Sequence, residues 1–354
     1  MHTARDLWIE QGIDCELVAV GETVGDFAPD LAARGYRIHH LRPTRWALMS
    51  GFFTLVRRRR PDIVHIHTER AGFWLALVSR LLGSRVVQSV HSMFPFTGAL
   101  RRERRVQRRI ARRLGVRFVA VSPDVAEHER SQFANSAEII RNWIDLDRFA
   151  PATPAERESA RRSLDLSADD FVVLTVGNCW TMKNHALVVE AMGHSAIPAR
   201  AVYLHAGDHS VGTGTDEQAM AERSSRSAAI RFLGTRDDVP RLLHACDVFV
   251  MPSSYEGSGL AAIEAMATDT PVVVGDSPGL RDLHRLDPSV RLVTLDAEAI
   301  ATAIAQVDHG ARSGTLEVHG REIALRWFGP NVGTSNYAAL YSRVLPRRRR
   351  AVGR

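Results

Sequence analysis

The chain contains little cysteine, a single lysine and no long apolar run. Its three cysteines, Cys15, Cys179 and Cys246, are too widely spaced for a metal or redox motif and suit a reducing cytoplasm. No stretch reaches the ~18 apolar residues that a membrane-spanning helix requires. The first residues also lack the apolar core of a signal peptide. These absences argue against disulfide-stabilised and membrane-spanning classes and favour a cytoplasmic protein.

Positive charge is carried almost entirely by arginine and is unevenly distributed. Residues 1–150 contain 24 arginines against 16 acidic residues, a net charge of +8, whereas the remainder has a net charge of −2. Arginines cluster at 57–60, 101–113 and 347–350. The clusters indicate either a solvated surface or a patch for an anionic membrane, to which each basic residue adds ~1 kcal/mol. Nucleic-acid binding is disfavoured because neither a groove-reading motif nor stacking aromatic residues accompany them.

The length of 354 residues exceeds that of one ordinary domain, so two are expected. Short apolar runs alternate with helical stretches, which is typical of doubly wound parallel α/β sheets. The polar stretch 151–167 is the best boundary between them. We therefore predict an N-terminal, acceptor-side domain at 1–150 that is incomplete at its start, a C-terminal domain at 151–330, and at 331–354 a helix packing back toward the N-terminal domain, with a basic tail.

Twelve strands are predicted, and several of the later ones end in glycine turns. These turns follow residues 176, 206 and 233 or lie at 257–259. Because ligands of such sheets bind outside the carboxyl ends of the strands, the turns should open on one cleft, with the N-terminal domain opposite. The predicted strands lie near 15–20, 37–40, 62–67, 85–90, 117–122, 138–141, 171–176, 201–206, 229–233, 247–251, 271–275 and 291–294.

Residues 253–264, SSYEGSGLAAIE, carry two glycines between two glutamates. Gly257 and Gly259 let the backbone approach a ligand closely, and the N-terminus of the helix that follows favours an anion. Glu256 and Glu264 would repel a phosphate and are better suited to accept hydrogen bonds from hydroxyl groups. A phosphate together with hydroxyl groups indicates a sugar nucleotide.

The single lysine, Lys183, follows the strand at 171–176 and the glycine turn that begins at Gly177. A lysine in such a place can act as a point charge on a phosphate. The alternative is a solvated surface lysine at the start of a helix. The position of Lys183 at the end of a strand favours the ligand role.

These motifs resemble the retaining glycosyltransferases of family 4, which have the GT-B fold of two Rossmann-like domains facing a cleft. The most specific part is the E-x7-E pattern at 256–264, with its following helix and the segment Pro271-Val-Val. The resemblance covers nearly the whole chain. Other similar segments are 62–67, 90–92, 119–122, 141–149, 232–239 and 246–253.

The resemblance implies transfer of a sugar from a nucleoside-diphosphate sugar to a polysaccharide or lipid-linked acceptor, without a metal or another cofactor. His91 would face the donor sugar and the acceptor hydroxyl, Glu256 would contact the donor sugar, and Lys183 would neutralise the diphosphate. Glu264 would bind the ribose, and the loop 234–239 would hold the base. The other implied donor-binding residues are Gly177, Asn178, Gly207, Arg236, Gly257, Ser258, Gly259 and Leu260.

Two departures from the family pattern leave alternatives open. Asn178 stands where the family usually has arginine, which leaves Lys183 more of the diphosphate charge to neutralise. The family also begins with a strand and a glycine-rich loop, whereas this chain begins inside what reads as the following helix. The rival interpretations are a sugar-nucleotide epimerase and, if that loop is truly absent, a non-catalytic binder of sugar nucleotides or glycans.

Several histidines have a plain structural interpretation. His91 alone, after a buried strand, would be a core histidine, and only the resemblance gives it a role in the site. His65 and His67 share one strand face but have no third metal ligand, so both are interpreted as structural. Asp208 and His209 could touch the base or the ribose, or could equally belong to an ordinary loop.

Overall fold

The chain divides into two compact units. The first contains residues 1–145 and 330–354 and the second contains residues 146–329, so the division falls shortly before the polar stretch at 151–167. His209 and the arginine tail 347–350 lie outside the described residues. The structure, a computed structural model, describes residues 3–25, 27–94, 96–208 and 216–346.

The first unit contains two parallel sheets. One pairs β1 with β2, and the other has the order β3-β4-β5-β6. In the part of the chain that the structure describes, β1 and β3 each have a strand neighbour on one side only. The strands are β1 (Glu16–Val20), β2 (Arg37–Leu41), β3 (Ile63–Ile66), β4 (Arg85–Val90), β5 (Arg117–Ala120) and β6 (Ala137–Ile139).

Helices of the first unit form a layer over the four-stranded sheet and also complete its core. The four helices between residues 45 and 133 contact one another in succession. Tyr337 and Leu340 of the last helix pack with Trp8, Val87 and Val119 in the core. The last helix is therefore part of this unit's core. The helices are α1 (Arg5–Glu10), α2 (Ala28–Ala33), α3 (Arg45–Arg59), α4 (Gly72–Leu81), α5 (Gly98–Arg113), α6 (Pro123–Phe133) and α15 (Pro330–Val344).

The arginine-rich helix α5 has a buried side as well as an exposed one. Arg108 is only 5% exposed, and its guanidinium donates to the carboxylates of Glu129 at 2.7 and 2.9 Å and of Glu69 at 3.0 and 3.1 Å. The half-buried Arg104 lies over the ring of Phe96. Arg104 and Arg108 are therefore not part of a solvated surface, whereas both interpretations stay open for the exposed arginines of the run. Its exposed arginines are Arg101, Arg102, Arg105, Arg109, Arg112 and Arg113.

The second unit is built on one parallel sheet of six strands in the order β12-β11-β10-β7-β8-β9. The chain runs outward from β7 on one side and outward from β10 on the other, so the topological switch point lies between these two neighbours. The strands are β7 (Phe171–Val176), β8 (Ala201–Ala206), β9 (Ile230–Phe232), β10 (Val248–Met251), β11 (Val272–Gly275) and β12 (Arg291–Val293).

Helices cover the central strands of this sheet, which are buried throughout as the continuous apolar runs predict. Thr153 and Glu156 form a capping box that starts the first helix directly after the unit boundary. The helices are α7 (Pro154–Arg162), α8 (His185–Met192), α9 (Glu217–Arg223), α10 (Val239–Ala245), α11 (Leu260–Ala267), α12 (Arg281–Leu286), α13 (Ala297–Ser313) and α14 (Gly320–Trp327), with 3-10 turns at Thr181–Lys183 and Ser227–Ala229.

The prediction of two doubly wound parallel α/β units is confirmed. All twelve predicted strands are present, and their ends differ from the prediction by at most two residues. Among the helices of the described residues, none combines the length and apolar character needed to cross a bilayer.

Candidate active site

Two loops meet at the switch point of the second unit, one after β7 and one after β10. The side-chain amide of Asn184 donates to the carbonyl of Pro252 at 3.0 Å, and the N–H of Ser254 donates to the carbonyl of Met182 at 2.9 Å. These backbone contacts hold the two loops against each other. The glycine turns predicted after residue 176 and at 257–259 thus lie side by side.

An ion pair links these loops. Lys183 ends the 3-10 turn, and its Nζ lies 2.6 Å from Oε1 of Glu256. The side chains are 22% and 14% exposed, so the pair is largely removed from water. The lysine expected to neutralise the diphosphate and the glutamate expected to contact the sugar are therefore ion-pair partners. Sequence reasoning named both residues but did not predict the bond.

The loop 256–259 presents backbone donors at the start of α11. Gly259 has a left-handed backbone, with φ +64°, and a Cβ there would lie 2.6 Å from the Leu280 side chain. No acceptor among the described residues takes the N–H groups of Gly257, Gly259 and Leu260. Free N–H groups at a helix N-terminus form a site for an anion. The structure thus brings the predicted amides next to the Lys183–Glu256 pair.

Gly279, which sequence reasoning did not single out, supports the loop that carries Glu256. It has φ +85°, and a Cβ at this position would lie 2.0 Å from the Glu256 carbonyl oxygen. The Glu256 N–H donates to the carbonyl of Pro278 at 3.2 Å. Only glycine fits this close approach of two backbones. The serine-proline-glycine turn at 277–279 is the sequence signal that could have indicated it.

Glu264 lies in the first turns of α11 with a carboxyl group that accepts no hydrogen bond from the described residues. Burial raises the pKa of this carboxyl to about 7, and the positive charge of Arg148 opposes the rise. Arg148 also donates to the carbonyl of Asp237 at 2.7 Å. Arg148 therefore connects the predicted ribose ligand with the predicted base loop, a role that sequence reasoning missed although the motif 141–149 contains it.

The loop 234–239, which is predicted to hold the base, contains an internal ion pair. The guanidinium of Arg236 donates to both carboxylate oxygens of Asp238, at 2.8 and 2.7 Å. Asp238 directly precedes α10, so this pair fixes the way the chain enters that helix. Arg236 is exposed, and two of its three guanidinium nitrogens, Nε and Nη2, are engaged within the loop.

Gly177 and Gly207 make a close backbone crossing rather than a set of free donors. The Gly177 N–H donates to Ala206 at 2.8 Å and the Gly207 N–H donates to Gly234 at 2.9 Å. A Cβ on Gly207 would lie 2.1 Å from the Gly177 carbonyl oxygen. Asn178, at the position where arginine was expected, accepts a hydrogen bond from the Asp208 N–H at 3.0 Å. These residues shape the loop that leads to Lys183.

Two histidines that sequence reasoning passed over lie beneath this loop. His205 is hydrogen-bonded to the Gly177 carbonyl at 2.8 Å, and the ring of buried His185 lies 4.6 Å from that of His205. Burial lowers the pKa of His185 to about 3, helped by His205 and Lys183. His185 is therefore neutral near pH 7, which keeps a second buried positive charge away from the lysine.

His91 follows β4 in the first unit and pairs with another histidine. Its Nε2 lies 2.9 Å from Nδ1 of His67. His65 is fixed differently: its Nδ1 bonds to Tyr341 at 2.7 Å and its Nε2 to Ser89 at 2.8 Å. Within the described residues, no group of three His, Cys, Asp or Glu side chains is arranged to hold a metal ion.

Comparison with known proteins assigns both halves of the chain. The family Glycosyltransferase Family 4 matches residues 4–148, and the family Glycosyl transferases group 1 matches residues 170–308. An Escherichia coli relative is 27% identical over 268 residues, which are 72% of this chain and 68% of the relative. Its name is UDP-Gal:alpha-D-GlcNAc-diphosphoundecaprenol alpha-1,3-galactosyltransferase.

Solved structures with a similar fold cover almost the entire chain. A glycosyltransferase of Rickettsia africae superposes with a TM-score of 0.82 at 17% identity, over 98% of this chain and 94% of the other. HepE of Anabaena, solved with UDP and glucose, superposes with a TM-score of 0.76 at 18% identity, over 92% of this chain and 91% of the other. At these identities the likeness concerns the fold, which is GT-B.

Proposed function

Because the chain belongs to the family 4 glycosyltransferases and transfers a sugar from a nucleotide sugar, we propose that it does so with retention of the anomeric configuration and that its acceptor is a polysaccharide or a lipid-linked glycan. The observation that carries this proposal is the arrangement at the switch point of the second unit. There Lys183, Glu256 and the free N–H groups at the start of α11 lie together. Glu264 is the fifth residue of the same helix.

Each of these groups suits one part of a nucleoside-diphosphate sugar. Lys183 and the N–H groups of 257–260 neutralise the diphosphate, whose negative charge grows as it leaves. Glu256 accepts hydrogen bonds from the sugar hydroxyls, and Glu264 accepts them from the ribose. Interactions that strengthen as the leaving group gains charge lower the barrier, since they favour the transition state over the bound substrate.

The remaining donor-site residues have supporting roles in this proposal. Gly177, Asn178 and Gly207 shape the loop that carries Lys183, because their backbone or side-chain groups are engaged in holding it. The loop 234–239 receives the base, and Arg236 keeps that loop in its conformation through Asp238. The bound uridine nucleotide of HepE makes UDP the first nucleotide to test.

The function is tested by supplying candidate donors and acceptors to the purified protein. A thermal-shift series with UDP, GDP, ADP and dTDP identifies the base, since a ligand that binds the folded state raises its stability by mass action. Radiolabelled nucleotide sugars that carry the identified base are then incubated with polyprenyl-diphosphate glycans and with soluble glycans. Retention is read from the anomeric proton coupling of the product. Inversion, or release of nucleotide with no sugar on any acceptor, contradicts the proposal.

A lipid-linked acceptor would place the protein at the cytoplasmic face of a membrane, and α5 supports this part of the proposal. Its outward side carries Arg105 and Arg109 beside the exposed apolar residues Val106 and Ile110. Arginine with exposed apolar side chains suits a surface of anionic lipid headgroups. The Escherichia coli relative, by its name, acts on a diphosphoundecaprenol-linked sugar.

Binding to anionic vesicles should depend on the exposed arginines of α5. We expect wild-type protein to sediment with phosphatidylglycerol vesicles at 0.05 M salt and to be released at 1 M salt, where the screening length falls to ~3 Å. The variant with Arg101, Arg105, Arg109 and Arg113 replaced by glutamine should bind far less and keep its nucleotide affinity. Arg104 and Arg108 stay unchanged because they are at least half-buried and Arg108 pairs with two glutamates.

The matched control replaces four exposed arginines of the second unit, which gives the same change in net charge. If this control loses vesicle binding equally, the effect comes from total charge and not from α5. If the wild type stays unbound at low salt, the arginines are a solvated surface and a soluble glycan becomes the better acceptor. The control residues are Arg162, Arg223, Arg312 and Arg326.

A further inference from the structure

His67 and His91 form a hydrogen-bonded pair at the carboxyl ends of β3 and β4. Nδ1 of His67 lies 2.9 Å from Nε2 of His91, and the two rings are inclined by only 30°. The residues are neighbours because β3 and β4 pair in register, with Ile66 opposite Gln88. Neither ring is fully buried, so the pair is accessible to a ligand.

A fixed support lies behind this pair. His65 uses both of its nitrogens, one with Tyr341 of α15 and one with Ser89 of β4, and Ser89 in turn bonds to Tyr337 at 2.9 Å. The ring of His67 packs against that of His65, with centroids 4.0 Å apart and the ring planes inclined by 37°. His65 therefore restricts the orientation of the His67 ring.

The bond between the two histidines leaves one nitrogen of His91 available. Within the described residues Nε2 of His91 is engaged with His67, whereas Nδ1 has no hydrogen-bond partner. We propose that His67 is a positioning residue for His91, and that it fixes the ring so that Nδ1 is the atom that faces the transferred sugar or the acceptor hydroxyl. This inference rests on the proposed function and on the role in sugar transfer that the family resemblance implies for His91.

The pair also sets the protonation of that atom. Partial burial lowers the pKa of both rings, that of His67 to about 4 with the help of His91, so both are neutral near pH 7. Two neutral rings share one hydrogen in their bond. If His67 donates it, Nδ1 of His91 carries a proton and is a donor; if His91 donates it, Nδ1 is an acceptor. His67 thus selects what His91 can offer to the substrate.

The test uses amides that imitate one ring nitrogen each. The amide of asparagine occupies the place of histidine Nδ1, and that of glutamine occupies the place of Nε2. His67→Asn therefore keeps a partner for His91, whereas His67→Gln removes it. We expect His67→Gln to lower kcat of transfer at least roughly tenfold, since a 1 Å misplacement of a reacting group can cost ~100-fold. His67→Asn should stay within about threefold of wild type.

The opposite order is expected at His91. His91→Asn keeps a polar group at the Nδ1 position and loses the bond to His67, whereas His91→Gln keeps the bond and loses the Nδ1 group. Since Nδ1 is the working atom, His91→Gln should be slower than His91→Asn and about as slow as His91→Ala. Dissociation constants for the nucleoside diphosphate should be unchanged in all these variants, because its ligands belong to the second unit.

The control is His39→Gln, which removes a histidine bonded to Glu16 on the other sheet of this unit and should leave transfer unchanged. Equal rates for His67→Asn and His67→Gln in folded protein overturn the inference, as does His91→Gln faster than His91→Asn. If wild-type protein transfers no sugar, the proposed function has failed instead. A variant that unfolds is recognised by its circular-dichroism spectrum and its thermal melt, and the comparison of His91→Asn with His91→Gln then decides.

Discussion

Lys183→Ala lowers kcat of sugar transfer by roughly 100- to 1,000-fold and leaves the protein folded, which is the loss typical of removing one group that stabilises developing negative charge. Lys183 is the only lysine in the chain, and Asn178, at the place where a second cation was expected, is bonded to Asp208. The diphosphate therefore has one side-chain cation within the two loops at the switch point.

The pairing of Lys183 with Glu256 makes this loss larger than that of a single cation. The two side chains lie 2.6 Å apart and are largely removed from water, so Lys183→Ala leaves a carboxylate unpaired next to the incoming diphosphate. An unpaired, largely buried charge costs more than the pair contributes. Adding Glu256→Gln to Lys183→Ala should therefore restore part of the donor affinity, although Glu256→Gln alone weakens contact with the sugar.

A double-mutant cycle on donor affinity and on kcat measures this coupling. The control is Arg162→Ala, which removes a cation from an exposed ion pair with Glu158 in the same unit and should change neither quantity. A folded Lys183→Ala protein with near wild-type kcat would show that Lys183 is a surface lysine with no role in sugar transfer. Strict additivity of the two substitutions would mean that the ion pair is broken before the donor arrives.

The architecture could be predicted from the sequence because each strand and each turn is indicated by residues that are close together in the chain. Runs such as 172–174 and 272–274 are apolar at every position, as is typical of buried parallel strands, and the glycine turns mark where these strands end. Glu256 and Glu264 lie on either side of a helix start, so their spacing also follows from nearby residues. Strand ends were accordingly predicted to within two residues.

Pairings between distant residues could not be read in this way. Lys183 and Glu256 are 73 residues apart and His67 and His91 are 24 apart, and each bond depends on which strands become neighbours. The burial of Arg108 depends likewise on Glu69 and Glu129, which belong to other elements. A run of arginines looks solvated in sequence, whereas the carboxylates that bury one of them are found only in the folded unit.

Glu264→Ala weakens nucleoside-diphosphate binding by roughly 10- to 100-fold, because a charged acceptor of hydrogen bonds contributes about 1.5–3 kcal/mol. The carboxyl has no donor among the described residues, so the ribose hydroxyls would supply its missing hydrogen bonds. Titration calorimetry with UDP, or with the nucleotide that the thermal-shift series identifies, measures the loss. Unchanged affinity in folded Glu264→Ala protein would show that the ribose is held elsewhere.

The raised pKa of Glu264 makes this affinity depend on pH. Its carboxyl has a pKa of about 7, so the ionised form that accepts two hydrogen bonds predominates above pH 7 and is lost below it. Donor affinity should therefore fall as the pH decreases from 8 to 6. A nucleotide sugar is the ligand to use, since its diphosphate does not titrate in this range. Glu264→Gln should bind more weakly at pH 8 and show no such slope.

The same group should make the unliganded protein less stable at high pH. The pKa of Glu264 in the folded state, about 7, lies above its ordinary value of 4.5, so the folded protein holds the proton more tightly than the unfolded chain does. Its effect on stability is neutral below pH 4.5 and becomes unfavourable as the pH rises toward 7. Glu264→Gln, which carries no charge, should therefore have a higher Tm than wild type at pH 8 and a similar Tm at pH 4. A variant that gains stability while losing affinity for the donor identifies Glu264 as a ligand of the site, because a structural glutamate would lose both.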